Sequence, residues 1–169
     1  FKDKKVEIDM RSYCEQAIDD FHRKVHTKAA TPAKRDVFEI DEDSPLLSEE
    51  DRENFHSITA LLLYIALRGR PDIMLPVSFL CTRVGKASIQ DDEKLLRVLK
   101  YLKGTLDLKY TLGADTLESL KIWVDAAFAV HLDMKGHTGG AMSLGTGTFM
   151  NKSSKQKLNV LSSTECELV

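Results

Sequence analysis

The central part of the chain carries the hydrophobic spacing of three consecutive amphipathic helices. In the first, Phe55, Ile58 and Leu62 recur at intervals of three and four residues, which places these side chains on one helical face. A second helix follows a proline, and Ser48 and Ser88 begin the first and third helices as N-caps, each with an acidic residue three positions later. Because the connecting segments are short, the pattern predicts a small antiparallel helical unit over residues 48–104.

Glycine and proline set the limits of these helices. Gly69 and Pro71 end the first one. The second is predicted from about Pro71 to Arg83, with Pro76 in its first turns or at a kink. Gly104 is expected to end the third helix as a left-handed C-cap.

The N-terminal part combines a strand, a helix and an irregular connection. Residues 6–9 alternate between apolar and polar side chains and are predicted to form a short strand. From Met10 the apolar spacing becomes helical and continues to about Val25. The segment 27–47 is predicted to be mostly irregular, apart from a brief edge strand at residues 37–40.

Beyond residue 104 the apolar spacing changes from helical to alternate, which predicts strands. The stretch 120–130 is the most apolar, so we expect a buried strand there. Ser162 is a candidate N-cap for a terminal helix, with Glu165 at capping-box distance. The predicted strands are residues 106–112, 120–130, 141–144, 148–152 and 157–161. The chain is therefore predicted to have an α+β fold.

Composition excludes several classes of protein. Apolar residues make up 43% and charged residues 30% of the 169 positions, with a net charge of −2, as in soluble globular proteins. The sequence contains no apolar run of transmembrane length and no signal peptide. We therefore expect an intracellular protein without membrane association, in which Cys14, Cys81 and Cys166 are free thiols. Because the chain does not begin with Met, we expect it to be an excised fragment.

Six short blocks stand out between residues 70 and 167. They read Arg70-Pro71-Asp72-Ile73, Leu99-Lys100-Tyr101-Leu102-Lys103-Gly104-Thr105, Trp123-Val124-Asp125-Ala126-Ala127-Phe128-Ala129, His137-Thr138-Gly139-Gly140, Ser154-Lys155-Gln156-Lys157 and Ser162-Ser163-Thr164-Glu165-Cys166-Glu167. In this order and at this spacing, the set resembles the polyprotein of copia-type LTR retrotransposons.

The resemblance implies three consecutive segments. Residues 1–47 would be the tail of the reverse transcriptase palm and a linker, and residues 48–118 a helical thumb or connection. Residues 119–169 would be the truncated N-terminal part of a ribonuclease H-like domain, with the first strands of an incomplete mixed sheet. For the intact protein, the resemblance implies RNA-directed DNA synthesis and degradation of the RNA strand of RNA–DNA hybrids.

Two acidic residues match the nuclease ligands of that family. Ribonuclease H holds two divalent ions with clustered carboxylates, and the resemblance assigns Asp125 as the first ligand and Glu167 as the second, with Glu165 the poorer match. The implied cofactor of the intact protein is Mg²⁺ or Mn²⁺. Asp125 is also the only charge in the apolar run 122–130, where an unpaired carboxylate is costly. From the residues alone, Asp125 could cap a strand end and Glu167 could be a solvated first-turn acid.

Basic side chains are candidates for contacts with nucleic acid. The resemblance places the segment around residue 155 near the RNA–DNA hybrid, and a thumb that follows a template–primer duplex needs a basic side. A solvated surface explains the same residues almost as well. The candidates are Lys152, Lys155 and Lys157 near the sheet, and Arg97, Lys100 and Lys103, with Arg68, Arg70 and Lys94, on the helices. The rest of the polyprotein is the other implied partner.

Two other interpretations stay open. The chain could be a degenerate or domesticated copy that binds nucleic acid or protein without catalysis, or a three-helix interaction unit. The retained Asp125 and Glu167 favour the enzyme lineage. The polymerase triad and two further nuclease ligands are absent from the sequence, so we expect the fragment to be catalytically inactive.

The last expectations concern exposure. His131 and His137 flank a loop and are expected at the surface. A sheet whose covering helix is cut after one turn is expected to expose Ile122, Val124 and Phe128 and to be adhesive.

Overall fold

The computed structural model describes residues 5–169, which form an α+β protein, as predicted. The helices of this part of the chain are α1 (Arg11–Asp19), α2 (Glu49–Arg68), α3 (Met74–Cys81), α4 (Ile89–Gly104) and α5 (Ser163–Leu168). Its strands are β1 (Lys5–Ile8), β2 (Tyr110–Ala114), β3 (Lys121–Ala127), β4 (His137–Ser143), β5 (Gly145–Thr146) and β6 (Met150–Lys155). None of the described helices combines the length and apolar character needed to cross a membrane.

These elements form two compact units. The helical unit spans Met10–Leu108, and the β-rich unit joins the described residues before Met10 to Lys109–Val169. The resemblance implied three consecutive segments, whereas the β-rich unit combines residues from both ends of the described chain. The reason is that β1 pairs antiparallel with β2, with Val6 opposite Leu112. The predicted N-terminal strand is therefore confirmed, and its partner lies far along the chain.

The helical unit buries the apolar faces that the spacing predicts. Phe55, Ile58 and Leu62 of α2 are at most 2% exposed, and Leu95 and Leu99 of α4 are fully buried. Helix α1 packs on both α2 and α4. Removal of these apolar surfaces from water is the main favourable contribution to folding of this unit.

Both predicted serine caps are confirmed. The Ser48 hydroxyl accepts a hydrogen bond from the Asp51 N–H at 3.1 Å. At α4 the bonding is reciprocal, because Ser88 accepts from the Asp91 N–H at 3.4 Å and the Asp91 carboxylate accepts from the Ser88 N–H at 3.0 Å. Asp91 is fully buried and also pairs with Arg83 at 3.1 Å. The cap of α4 therefore holds the chain that follows α3 as well.

Arg70 was expected on a basic surface, and that expectation was wrong. The residue is 1% exposed, and its guanidinium donates to the Asp72 carboxylate at 2.8 Å from Nη2 and 3.0 Å from Nε. Nη1 donates to the Thr105 carbonyl at 3.1 Å, and the Tyr101 hydroxyl donates to Asp72 at 2.8 Å. The planar, forked guanidinium thus joins the chain after α2 to the end of α4.

The chain after α1 is irregular, whereas the apolar spacing predicted a helix up to Val25. Asn54 of α2 accepts a hydrogen bond from the His22 N–H at 3.1 Å and donates to the Asp20 carbonyl at 2.8 Å. These bonds replace the helical ones, so α1 ends early. Phe21 and Val25 are nevertheless buried, each 5% exposed, which is why their spacing looked helical.

Residues 37–40 do not form the predicted edge strand. The chain makes a turn over residues 35–38, in which Val37 is 7% exposed. Phe38 lies edge-on to Phe79 of α3, with ring centroids 5.8 Å apart. Packing of these side chains on the helices, and not strand pairing, holds this segment.

The ends of α3 and α4 differ from the prediction in detail. A 3₁₀ turn at Pro71–Ile73 precedes α3, and Pro76 lies in the first turn of α3, where proline is tolerated. Gly104 is the last residue of α4 and not a left-handed C-cap, since the capping residue is Thr105 with a φ of −132°. The Thr105 hydroxyl donates to the Tyr101 carbonyl at 2.9 Å, which ends the helix without glycine geometry.

The β-rich unit contains two antiparallel three-stranded sheets, with strand orders β1-β2-β5 and β3-β4-β6. In the second sheet Asp125 lies opposite Gly139, and Gly140 lies opposite Lys152. The predicted strand at 157–161 is absent, because this segment is irregular and Asn159 donates its side-chain N–H to the Asp133 carbonyl at 3.0 Å.

Strand β3 is exposed along almost its whole length, so the prediction of a buried strand was wrong. Ile122, Val124 and Phe128 are 53%, 63% and 39% exposed, as expected for a sheet without its cover. The strand lies at the edge of its sheet, and α5 packs on it. The argument that Asp125 bears a burial cost therefore does not apply.

Candidate metal-binding site

Asp125 and Glu167 come to neighbouring points of β3. Asp125 is exposed near the end of the strand, and Glu167 belongs to α5, which packs on β3. The Glu167 carboxylate accepts a hydrogen bond from the Ala126 N–H at 3.3 Å. Since Ala126 directly follows Asp125, the Glu167 carboxylate reaches β3 at the residue next to Asp125.

Glu165 has a different role at the start of α5. Its carboxylate accepts a hydrogen bond from the Leu161 N–H at 2.8 Å, and its own N–H donates to the Ser162 hydroxyl at 3.2 Å. The predicted cap at Ser162 is therefore confirmed. Glu165 closes the first turn of the helix, which leaves Glu167 as the carboxylate at β3.

Asp125 and Glu167 fit part of the ligand set of a hard cation. Mg²⁺ prefers oxygen ligands, keeps several water molecules and is commonly held by one or two carboxylates. Within residues 5–169, no three His, Cys, Asp or Glu side chains are grouped as a complete metal site. The pair therefore needs further oxygen ligands from water or from substrate phosphates.

The three lysines near the sheet differ in their surroundings. Lys155 pairs with Asp133 at 2.8 Å, and this bond lowers the pKa of the Asp133 carboxyl below its ordinary value. Lys152 and Lys157 are exposed. Contact of these two lysines with phosphate stays a prediction, whereas Lys155 already has an anionic partner.

The basic residues of α4 also divide into two kinds. The Lys103 ammonium donates to the Val25 carbonyl and so serves the helical unit itself. Arg97 and Lys100 line a cavity of about 250 Å³ in that unit. Arg97 donates from Nη2 to the Thr31 hydroxyl at 2.9 Å, and its buried Nε has no acceptor among the described residues. The charged residues that line the cavity are Lys34, Asp36, Glu93, Lys94, Arg97 and Lys100.

Two curated proteins align with most of this sequence. The putative transposon Ty5-1 protein YCL074W of Saccharomyces cerevisiae is 30% identical over 168 residues, which is 97% of this chain and 53% of that protein. The chain is similar to a transposon protein. The uncharacterized mitochondrial protein AtMg00810 of Arabidopsis thaliana is 30% identical over 118 residues, 69% of this chain and 49% of that protein.

The chain thus spans about half the length of these two relatives. No protein-family model matches the sequence, and no solved structure matches it. The similarity to the yeast protein supports a retrotransposon polyprotein as the source of this segment. The motif blocks imply the same kind of source and, within it, the reverse transcriptase and ribonuclease H regions.

A buried histidine pair lies in the same β-rich unit and was not foreseen. His131 and His137 are 5% and 4% exposed, and their Nε2 and Nδ1 atoms are 3.0 Å apart. The other ring nitrogen of His137 lies 2.6 Å from the Ser153 hydroxyl. Burial, with a smaller contribution from His131, lowers the pKa of His137 to about 4. The expected surface positions were wrong because β4 begins earlier than predicted and draws His137 into the sheet.

Proposed function

We propose that this chain is part of a copia-type LTR retrotransposon polyprotein and connects the end of its reverse transcriptase to the start of its ribonuclease H domain. The observation that carries the proposal is the Glu167 carboxylate at the Ala126 N–H, directly beside Asp125. The order of the motif blocks and the similarity to a yeast transposon protein support it.

In the proposed nuclease, Asp125 and Glu167 hold a divalent cation, Mg²⁺ or Mn²⁺, at β3. Such a cation, when bound, polarises a phosphodiester oxygen and lowers the pKa of an attacking water. This chain positions the two ligands, since β3 fixes Asp125 and the Ala126 N–H orients the Glu167 carboxylate. We expect the remaining ligands to come from elsewhere in the polyprotein, so this chain binds a cation without cleaving a hybrid.

Binding of Mn²⁺ to the purified chain tests this assignment. We expect Asp125→Asn and Glu167→Gln each to weaken Mn²⁺ binding roughly tenfold, about 1.4 kcal/mol, because each removes one charged oxygen ligand. The affinity is measured from the enhanced relaxation of water protons around Mn²⁺. Glu118→Gln is the matched control, since Glu118 is an exposed acid of the same unit that lies outside β3.

Equal Mn²⁺ affinity in the wild-type chain and all three variants would contradict the metal site. Cleavage of an RNA–DNA hybrid by the chain, above the level of Asp125→Asn, would contradict the expected inactivity.

The cavity in the helical unit favours a second function, the binding of a nucleic-acid strand without catalysis. The cavity is lined by four cationic side chains and two acidic ones. One of the acids, Glu93, already pairs with Arg23 at 2.7 Å. Burial lowers the pKa of Lys94 in the same cavity, so a bound anion would stabilise its charged form. A backbone phosphate is an anion that such a cation cluster attracts.

Fluorescence anisotropy with a labelled RNA–DNA hybrid tests this second function. Arg97→Gln combined with Lys100→Gln should weaken binding and reduce the slope of log affinity against log salt by about 2 between roughly 50 and 200 mM. Lys86→Gln is the control, since Lys86 is an exposed lysine of the same unit that does not line the cavity. An unchanged salt slope in the double variant would exclude the cavity as the binding site.

A further inference from the structure

A single buried amide side chain holds α5 against the sheet. Gln156 directly follows β6 and is only 6% exposed. Its Nε2 donates to the Thr138 hydroxyl at 2.9 Å and to the Cys166 carbonyl at 2.8 Å, and its Oε1 accepts from the Cys166 thiol at 3.2 Å. A buried amide destabilises a fold unless its donors and acceptor are paired, and here both ends of the amide are paired.

Gly136 leaves the space in which this amide lies. The Gln156 N–H donates to the Gly136 carbonyl at 2.9 Å. A Cβ atom at position 136 would lie 2.4 Å from the Cys166 Sγ and 2.4 Å from the Gln156 Oε1. Any larger residue at this position must therefore displace the groups that hold α5.

These contacts fix the residue that follows Cys166. Cys166 is 1% exposed, and its Sγ lies 3.6 Å from the Ala127 carbonyl oxygen. The next residue, Glu167, reaches the Ala126 N–H. Helix α5 has six residues and is too short to be stable by itself. The place of Glu167 on β3 thus depends on the anchor formed by Cys166 and Gln156.

We propose that Gln156 is a positioning residue for Glu167: it anchors α5 through Cys166 and so holds the Glu167 carboxylate beside Asp125. The effect of Gln156 on metal binding rests on the function proposed above, whereas its anchoring of α5 does not. Gln156 acts only through α5 and does not itself contact the cation.

Two substitutions break the anchor from opposite sides. Gln156→Leu removes the amide, and Gly136→Ala introduces a Cβ where Cys166 and Gln156 lie. The matched control is Gly140→Ala in β4, since its Cβ would meet no described atom closer than the Trp123 carbonyl at 3.8 Å.

The position of α5 is read at two sites that do not require a metal. Hydrogen exchange of the Ala126 amide, followed by NMR, reports its bond to Glu167, and alkylation of Cys166, followed by peptide mass spectrometry, reports burial of the thiol. We expect both rates to rise roughly tenfold or more in Gln156→Leu and Gly136→Ala, and to stay at wild-type values in Gly140→Ala.

Exchange of the β4 amides in the same samples separates positioning from general support of the sheet. We expect these amides to keep their wild-type protection while the Ala126 amide loses it. If protection is lost across β4, Gln156 supports the whole sheet and the positioning role is overturned. Wild-type exchange at Ala126 and wild-type alkylation at Cys166 in both variants would overturn it as well.

Binding of Mn²⁺ then separates the anchor from the proposed function. Gln156→Leu should weaken Mn²⁺ binding as much as Glu167→Gln does, and the combined variant should show no further loss, because both changes remove the same ligand. If the wild-type chain binds no Mn²⁺ while the exchange and alkylation results hold, the metal site fails and the anchor stands. If Mn²⁺ binding depends on Glu167 but not on Gln156, the positioning role is overturned.

Discussion

Replacement of Arg70 by Leu is expected to destabilise the helical unit by about 2–3 kcal/mol, because it removes a buried charged donor while Asp72, whose side chain is 28% exposed, stays partly hydrated. The substitution leaves the Asp72 carboxylate without its guanidinium partner and the Thr105 carbonyl without the Arg70 donor. Arg70→Lys should cost less, because it keeps the charge but loses the forked geometry. Urea unfolding followed by far-ultraviolet circular dichroism measures both losses.

Arg68→Leu is the control for this prediction, since Arg68 is an exposed arginine two residues earlier. If Arg70→Leu costs no more than Arg68→Leu, the buried ion pair does not stabilise the unit. A double variant, Arg70→Leu with Asp72→Leu, should be more stable than the sum of the two single losses predicts, because neither charge is then left unpaired.

This ion pair gives a structural reason for one of the motif blocks. Arg70 and Asp72 stand in the Arg-Pro-Asp block, and Tyr101 and Thr105 stand in the next block along the chain. The structure joins the two blocks through hydrogen bonds of Arg70 and Asp72 to Thr105 and Tyr101. Both blocks therefore describe how α4 ends against the chain after α2, and neither needs a catalytic role.

Local signals were sufficient to predict where the helices with serine N-caps begin. Ser48 and Ser88 were predicted from a three-residue spacing, because a side-chain cap is formed by neighbours in sequence. The end of α1 depends instead on Asn54, a residue of another helix, and no local pattern contains that contact. Strand limits failed for the same reason, since β2 begins where β1 is available to pair with it.

The surroundings of the candidate site residues were not foreseen from the sequence. Asp125 and Glu167 were assigned through the motif blocks, whereas hydrophobicity misplaced β3 in the interior. An apolar run indicates that a strand can be buried, but not whether another layer is present to cover it. The anchor formed by Gln156 and Cys166 was not foreseen, because its hydrogen bonds join three separate segments and leave no periodic pattern in the sequence.

Acidification is expected to destabilise the β-rich unit through His137. The pKa of His137 is lowered to about 4 in the folded chain and is about 6.5 in an unfolded one, so the unfolded state binds more protons between these values. The stability from neutral His137 is complete above about pH 6.5 and is lost as the pH falls towards 4. Linkage gives a loss of about 3 kcal/mol over this window.

The groups around the pair determine how sharply this loss occurs. His131 lies against His137, and its own pKa is lowered by burial and by Lys155, while Asp133 acts in the opposite direction. Protonation of either ring disfavours protonation of the other, because two like charges would then lie in one buried site. The two histidines should therefore titrate as a coupled pair and not as independent groups.

Fluorescence of Trp123, the single tryptophan, reports unfolding of this unit, since Trp123 lies in β3. Urea unfolding at a series of pH values should show a falling free energy of unfolding below about pH 6.5 in the wild-type chain. His137→Gln should be less stable at neutral pH but should lose most of this pH dependence, because the group that takes up the proton is absent. His56→Gln, at an exposed position of α2, should keep the wild-type slope. Equal slopes in wild type and His137→Gln would show that groups other than His137 cause the acid sensitivity.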